Sequence, residues 1–168
     1  VLKMLWNFIV VNKYLKGNLM KIIKLFSLLF LVSFFGNVYS AEHVVKMLNG
    51  APPNMFVFDP PVIKIKAGDT VTWDGDMMHN SASINTMLPK GAEKWMGALT
   101  KKKGEVSISV KFDVEGVYGY QCTPHAMLGM VGLVVVGDSP SNLDAAKEAT
   151  KTIAGGKARF KEYFSQIK

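Results

Sequence analysis

The chain has only one cysteine, Cys122, among its 168 residues. A single thiol cannot form an intramolecular disulfide, so covalent cross-links do not stabilise this fold. Internal repeats and low-complexity segments are absent as well. The sequence also lacks a long basic stripe with interleaved aromatic residues, the usual signature of nucleic-acid binding. We therefore expect one globular domain that binds no nucleic acid, with a thiol that serves chemistry or packing.

Acidic residues are missing from the first forty positions, although the whole chain has 13 of them. In this segment, lysines at positions 21 and 24 precede an apolar run over residues 25–35, and Val-Tyr-Ser follows at 38–40. This pattern predicts a secretory signal peptide over residues 20–40, cleaved after Ser40. The apolar run is short for a membrane span, so we expect no membrane attachment after cleavage. An uncleaved membrane anchor is the alternative.

Residues 1–19 fit such a signal poorly, and the chain begins with Val1. We interpret them as an untranslated or spurious extension, with Met20 as the true start. The mature chain would then span residues 41–168. Five of the 20 basic residues precede it, so it would carry 15 basic and 13 acidic residues, a net charge of +2 rather than +7.

Short stretches of alternating apolar and polar residues fill the region from residue 44 to residue 136. The clearest is 106–112; residues 117–121 and the almost continuous apolar run 130–136 follow it. Turns rich in Gly, Pro and Asp separate these stretches, which predicts an antiparallel β-sandwich over residues 41–138. Residues 85–104 have no strand period and are predicted to form a long connection.

The end of the chain, residues 139–168, has a different pattern. Residues 143–153 are rich in Ala, Lys and Glu, which predicts a helix that a Gly-Gly pair ends. A second helix is predicted over residues 157–167, because apolar side chains recur there at helical spacing: Phe160, Tyr163, Phe164 and Ile167. The predicted fold class is therefore all-β, with a C-terminal helical extension packed on the sandwich.

Cys122 lies at the end of a predicted strand, three residues before His125 and eight before Met130. His79 follows another predicted strand, and such loops cluster at one end of a sandwich. Two imidazoles, a thiolate and a weak thioether are the ligand set of blue copper. Zinc would also accept Cys and His, but it rarely takes a thioether, and the carboxylate that a catalytic zinc site needs is missing beside these residues. A cysteine that merely packs in the core is the other alternative.

The segment 117–132, with its pattern Cys-x2-His-x4-Met, resembles the copper loop of the cupredoxins, and most closely that of the pseudoazurins. Further similar segments are 41–49, 58–60, 67–72, 79–80, 91–93 and 136–143. This resemblance implies a Greek-key cupredoxin sandwich with two C-terminal helices. It also implies a periplasmic electron carrier that is monomeric and not an enzyme. One type 1 (blue) copper ion per chain would be held by His79, Cys122, His125 and the axial ligand Met130.

The same resemblance suggests roles for three neighbours of these ligands. Asn80 would donate its backbone N–H to the cysteine sulfur, and its side chain would tie the two ligand loops together. Pro124 has no N–H and would offer no second donor to that sulfur. Phe56 would replace the methionine that packs on the second ligand imidazole in pseudoazurins.

Pseudoazurins usually carry a ring of lysines near the second histidine ligand, and this chain has no counterpart of that ring. The corresponding positions are Gly50, Met77, Met96 and Gln121. We predict an apolar docking patch instead, formed by Met77, Met96, Ala126, Met127 and Leu128. The alternative is that the methionines fill the core.

The resemblance implies redox proteins as partners, with a c-type cytochrome as donor and a denitrification reductase such as nitrite reductase as acceptor. A periplasmic copper carrier or chaperone is the alternative function, because methionines surround His79. After signal cleavage, Ala41, Glu42 and His43 would offer an amine, two amides and an imidazole, which suit a second, square-planar Cu(II) site. An ordinary strand position for His43 is the alternative.

Overall fold

The computed structural model describes residues 40–138 and 140–167, so the predicted extension over 1–19 and the predicted signal peptide before Ser40 lie outside these residues. The described part of the chain is built mainly of short strands, with two helices near its end. The strands are β1 (Glu42–Ala51), β2 (Asn54–Asp59), β3 (Val62–Ile65), β4 (Thr70–Gly75), β5 (Ala82–Ser83), β6 (Glu105–Lys111), β7 (Gly116–Gln121) and β8 (Val131–Val136). The helices are α1 (Leu143–Ala149) and α2 (Lys157–Ser165).

The strands form two four-stranded sheets, ordered β2-β1-β4-β6 and β3-β8-β7-β5. The predicted β-sandwich with a helical extension is confirmed. The expectation of purely antiparallel pairing was wrong, because β1 pairs with β4 and β3 pairs with β8 in parallel. The chain crosses between the sheets before each of these pairs forms, so no hairpin imposes the antiparallel direction.

The surroundings of β8 explain why its sequence shows no alternation of apolar and polar residues. Every residue of β8 is buried. Val134 and Val136 contact the core between the sheets, whereas Val131, Leu133 and Val135 contact the helices. A strand that is covered on both faces needs apolar residues throughout. The helices therefore cover the outer face of the second sheet. The four apolar residues predicted for this role are all buried, three of them in α2 and Ile167 two residues beyond its end at Ser165.

Helix α1 ends at Ala149, four residues before the predicted end. Beyond it, the backbone N–H groups of Thr150 and Thr152 donate to carbonyls three residues back, Lys147 and Ala149, so the chain leaves the α-helical pattern in a tighter turn. The two threonine hydroxyls donate to the same carbonyls. At the other end, the side chain of Asn142 makes no cap hydrogen bond. It pairs with both backbone groups of Val117 in β7, at 2.7 and 2.8 Å, and so fastens the helix to the sheet.

The connection from β5 to β6 is long and mostly irregular, as predicted. It contains one 3-10 turn, Asn85–Met87, and a single bridge between Ala82 and Met96. This connection brings Met96, Gly97 and Thr100 next to the loop that carries His79. No helix in the described part of the chain is both long enough and apolar enough to cross a membrane.

Candidate metal centre

Three side chains from two loops converge at one end of the sandwich. Cys122 Sγ lies 3.6 Å from His79 Nδ1 and 3.4 Å from His125 Nδ1, and the two Nδ1 atoms are 3.1 Å apart. Donor separations of this size suit ligands that share one ion. Within residues 40–138 and 140–167, no other group of His, Cys, Asp and Glu side chains is arranged to hold a metal, and this group contains no carboxylate.

The short loop between β7 and β8 carries two of these donors. Cys122 directly follows β7, and its backbone N–H donates to Met130 O at 3.0 Å. His125 lies in the 3-10 turn Thr123–Leu128, which Gly129 closes with φ of 88°. The backbone N–H of Met130 then donates to His125 O at 3.1 Å, and the Met130 side chain is fully buried. The loop thus places Cys122, His125 and Met130 within one hydrogen-bonded turn.

His79 is oriented by a residue that the sequence analysis did not identify. Its Nε2 atom lies 3.1 Å from Oδ1 of Asn49 in β1. An amide oxygen accepts, so Nε2 carries the proton and Nδ1 presents its lone pair to the centre. Thr100 anchors the same loop, because its hydroxyl oxygen accepts from the backbone N–H of His79 at 3.1 Å and its backbone N–H donates to His79 O at 2.9 Å.

Asn80 links the two ligand loops. Its Oδ1 atom accepts from the backbone N–H of Thr123 at 2.8 Å and from the Thr123 hydroxyl at 3.1 Å. Its Nδ2 atom donates to Gly97 O at 3.0 Å. Because Asn80 is buried, water cannot replace these bonds. The position of His79 is therefore coupled to that of the Cys122 loop.

Burial controls the protonation of the three donors. It lowers the pKa of His79, with a smaller effect from the neighbouring His125, and it lowers the pKa of His125 itself. It raises the pKa of the Cys122 thiol, which the backbone N–H groups of Asn80 and His125 partly oppose. The backbone N–H of His125 donates to Cys122 O at 3.1 Å and so lies close to the sulfur of the same residue, which the loop sequence alone did not indicate. Both imidazoles are thus neutral near pH 7, and a thiophilic cation would displace the thiol proton.

Phe56 covers the second imidazole. Its ring is stacked on that of His125, with centroids 4.3 Å apart and planes at 6°. The Phe56 backbone has φ of 52°, a left-handed conformation that bulky residues rarely adopt. The stack on His125 is therefore made by a residue whose own backbone conformation is unusual.

The residues of the predicted docking patch lie at the surface. Met77, Met96, Met127 and Leu128 are 52%, 67%, 71% and 60% exposed, so the alternative that these methionines fill the core was wrong. Ala126 is half-buried, as is His125 in the same turn. The half-buried imidazole of His125 is thus accompanied by exposed, polarizable apolar side chains.

Two residues of the predicted N-terminal copper site, Ala41 and His43, are bonded to Asp69. The backbone N–H of Ala41 donates to one carboxylate oxygen at 2.8 Å, and His43 Nε2 lies 3.0 Å from the other. Glu42 and His43 are also paired with β4 in the sheet. This arrangement favours the ordinary strand position for His43.

Comparisons with known proteins agree with this chemistry. The family model for copper binding proteins of the plastocyanin/azurin family matches residues 45–137. The pseudoazurin of Methylorubrum extorquens is 48% identical over 107 residues, which cover 63% of this chain and 69% of that protein. The chain belongs to the pseudoazurins, within the plastocyanin/azurin family. The pseudoazurin of Paracoccus pantotrophus is 41% identical over 66% of this chain and 74% of its own length. The crystal structure of pseudoazurin from Methylobacterium extorquens AM1 aligns with a TM-score of 0.66 at 42% identity, covering 76% of this chain and 99% of that one.

Family membership and donor chemistry together define the cofactor. The chain is a blue copper electron-transfer protein and not an enzyme. Its two imidazoles and one thiol fit one type 1 copper ion, and zinc chemistry of the hydrolytic kind would need a carboxylate that this cluster lacks.

Proposed function

We propose that this pseudoazurin carries single electrons in the periplasm from a c-type cytochrome to a denitrification reductase such as nitrite reductase. The observation that carries the proposal is the convergence of His79, Cys122 and His125 beside an exposed apolar patch. Copper bound there would supply the one-electron chemistry, and the chain would work as a monomer.

In this proposal each side chain around the centre has a separate task. His79 and His125 provide neutral imidazoles, Cys122 provides a thiolate, and Met130 provides a weak axial thioether. Asn80 holds the two loops in one arrangement, which limits the rearrangement that accompanies a change of oxidation state. Pro124 withholds an N–H from the thiolate, and fewer hydrogen bonds to that sulfur favour Cu(II).

The electron would pass through the half-buried ring of His125. The patch formed by Met77, Met96, Ala126, Met127 and Leu128 would exclude water around that ring when a partner docks. Because the patch carries no charge, the partner surface would be less acidic than one that binds a ring of lysines. Long-range attraction would then contribute little to association.

A visible spectrum tests the centre first. The protein starting at Ala41 is titrated with Cu(II), and spectra are recorded before and after ascorbate. We expect an intense thiolate-to-copper band that bleaches on reduction and returns on oxidation. His43→Ala should leave this band unchanged, whereas Cys122→Ser should abolish it. A weak amine and imidazole copper spectrum that His43→Ala removes would refute the centre.

Stopped-flow electron transfer with a c-type cytochrome tests the docking patch. Met127→Lys should slow the reaction, whereas Val44→Lys, at a site 48% exposed on β1, should not. The rate for the unsubstituted protein should change by less than about twofold as salt is raised. A steep fall with salt, or equal effects of the two lysines, would contradict the proposed surface.

Export is proposed as well, with residues 20–40 as the signal peptide and 1–19 as untranslated. Support comes from the described compact unit, which begins at Ser40. Intact-mass analysis of the periplasmic fraction should show a chain of residues 41–168. A precursor that contains residues before Met20 would contradict this assignment.

The exposed methionines favour one second candidate, a periplasmic copper carrier or chaperone, because thioethers are soft ligands for Cu(I). An electron carrier retains its copper through many redox cycles, whereas a carrier exchanges it with an acceptor protein. Copper retention after repeated ascorbate and oxidant cycles, in the presence of a Cu(I) chelator, separates the two. Loss within a few cycles would favour the carrier.

A further inference from the structure

The only arginine of the chain, Arg159, reaches from α2 to the metal end of the sandwich. Its guanidinium donates to three backbone carbonyls: Phe56 at 2.7 Å, Gly129 at 2.8 Å and Met55 at 2.9 Å. Arg159 is partly buried, and these carbonyls belong to β2 and to the loop between β7 and β8. One side chain thus fastens together two segments that are far apart in sequence.

Both segments touch the metal centre. Phe56 is stacked on His125. Gly129 closes the turn that carries His125, and it directly precedes Met130, whose N–H donates to His125 O. The guanidinium therefore holds the backbone behind the stacked ring and the backbone between two proposed ligands. A shift of either segment would move His125 relative to its neighbours.

The chemistry of arginine is needed for these contacts. A planar guanidinium presents five N–H donors in a fixed fork and can serve three carbonyls at once. A lysine ammonium has three donors on a flexible stem and cannot reproduce that arrangement. Carbonyl oxygens so close together also repel each other, and a cation between them offsets that repulsion.

We infer that Arg159 is a positioning residue of the copper centre, which fixes the Phe56–His125 stack and the Gly129–Met130 segment. The segment before α2 packs against the same loop. A Cβ atom on Gly155 would lie 2.1 Å from Ala126 O and 2.8 Å from Met127 Cα. Arg159 is thus part of a continuous contact between the helical extension and the ligand loop.

Three variants of the protein starting at Ala41 test this inference. Arg159→Lys keeps the charge but loses the fork, Arg159→Met removes both, and Lys161→Met removes an exposed charge from the same helix. The first readout uses metal-free protein. Stacking places the His125 ring protons above the Phe56 ring, so their NMR signals are shifted upfield. Both Arg159 variants should lose much of this shift, and Lys161→Met should keep it.

The copper-loaded protein gives the second set of readouts. Both Arg159 variants should bind copper about tenfold more weakly. The relative intensities of their visible bands and their reduction potentials should also change. Lys161→Met should change none of these.

If the NMR shift, the bands and the potential of Arg159→Lys match those of Lys161→Met, Arg159 serves only fold stability and the inference is wrong. The lysine variant decides the question even if Arg159→Met does not fold, because it keeps the helix and its charge. A failure of the proposed partners would leave these measurements unaffected.

Discussion

Phe56 combines a strained backbone with a contact to His125, one of the proposed copper ligands, and the two effects can be separated by substitution. A φ of 52° costs an L-residue about 1–2 kcal/mol relative to the usual helical or extended conformation, whereas it costs glycine almost nothing. The stack on His125 contributes about 0.5–1.5 kcal/mol beyond apolar burial. Because Phe56 is half-buried, its apolar contacts add about 1–2 kcal/mol.

The glycine and alanine variants of Phe56 should therefore rank in stability opposite to the usual order, in which alanine is the more stable. Phe56→Ala loses the stack and the burial but keeps the strain, so it should lower the free energy of unfolding by about 2–3 kcal/mol. Phe56→Gly loses the same contacts and releases the strain, so it should be more stable than Phe56→Ala by about 1 kcal/mol. The neighbouring Met55, exposed and with an ordinary backbone, provides the control. There the glycine variant should be less stable than the alanine variant by about 0.5–1 kcal/mol.

Urea unfolding of the metal-free protein, followed by tryptophan fluorescence, measures these differences. The slope of the free energy of unfolding against urea concentration should be equal for all variants, so that their midpoints can be compared directly. If glycine is less stable than alanine at position 56 by the margin seen at position 55, the backbone at Phe56 is not strained. The left-handed φ of Phe56 would then carry no energetic cost that its contacts with His125 and Arg159 have to offset.

Three further substitutions probe other parts of the molecule. Pro124→Ala introduces an N–H near the thiolate and should raise the reduction potential in voltammetry; a drop would refute this role. Gly155→Ala places a methyl group 2.1 Å from Ala126 O, so it should destabilise the fold by about 1–3 kcal/mol and alter the visible bands, and an unchanged spectrum would count against the contact. The pKa of Asp69 is lowered from 3.8 to about 2, first by its hydrogen bond with His43 and then by backbone N–H groups. Its ionised form thus stabilises the fold above about pH 4, and this contribution is lost as the pH falls toward 2. Asp69→Asn should therefore melt at a lower temperature than the parent at pH 7 but not at pH 2, and a gap independent of pH would contradict the assignment.

The ligand loop could be predicted from the sequence because its geometry is local. Cys122, His125 and Met130 lie within nine residues, and backbone hydrogen bonds inside that stretch bring them together. His79 could be added because strand ends gather at one end of a sandwich. Asn49 and Arg159 could not be found in this way, since their contacts join residues 30 and 103 positions apart. Such contacts depend on how the sheets and helices pack, which the spacing of residues does not encode.

The helices show the same difference between features that local sequence predicts and contacts that depend on packing. The apolar spacing in α2 predicted its buried face, because amphipathic periodicity is a local property. The early end of α1 follows a change of the backbone to hydrogen bonds three residues apart at Thr150 and Thr152, which the Ala, Lys and Glu composition did not indicate. The role of Asn142 depended on the presence of β7 beside it, which its residue type, common at helix N-termini, does not indicate.

The continuous apolar surface of β8 connects the stability of this fold to its metal centre. Val131, Leu133 and Val135 would be exposed to water without the helices, so burial of these residues holds α2 against the second sheet. Once α2 is held there, Arg159 lies within reach of Phe56 and Gly129. A substitution that loosens α2, even on the face remote from copper, should thus disturb the stack on His125. The helical extension therefore acts on the copper centre through the same packing that covers the sheet.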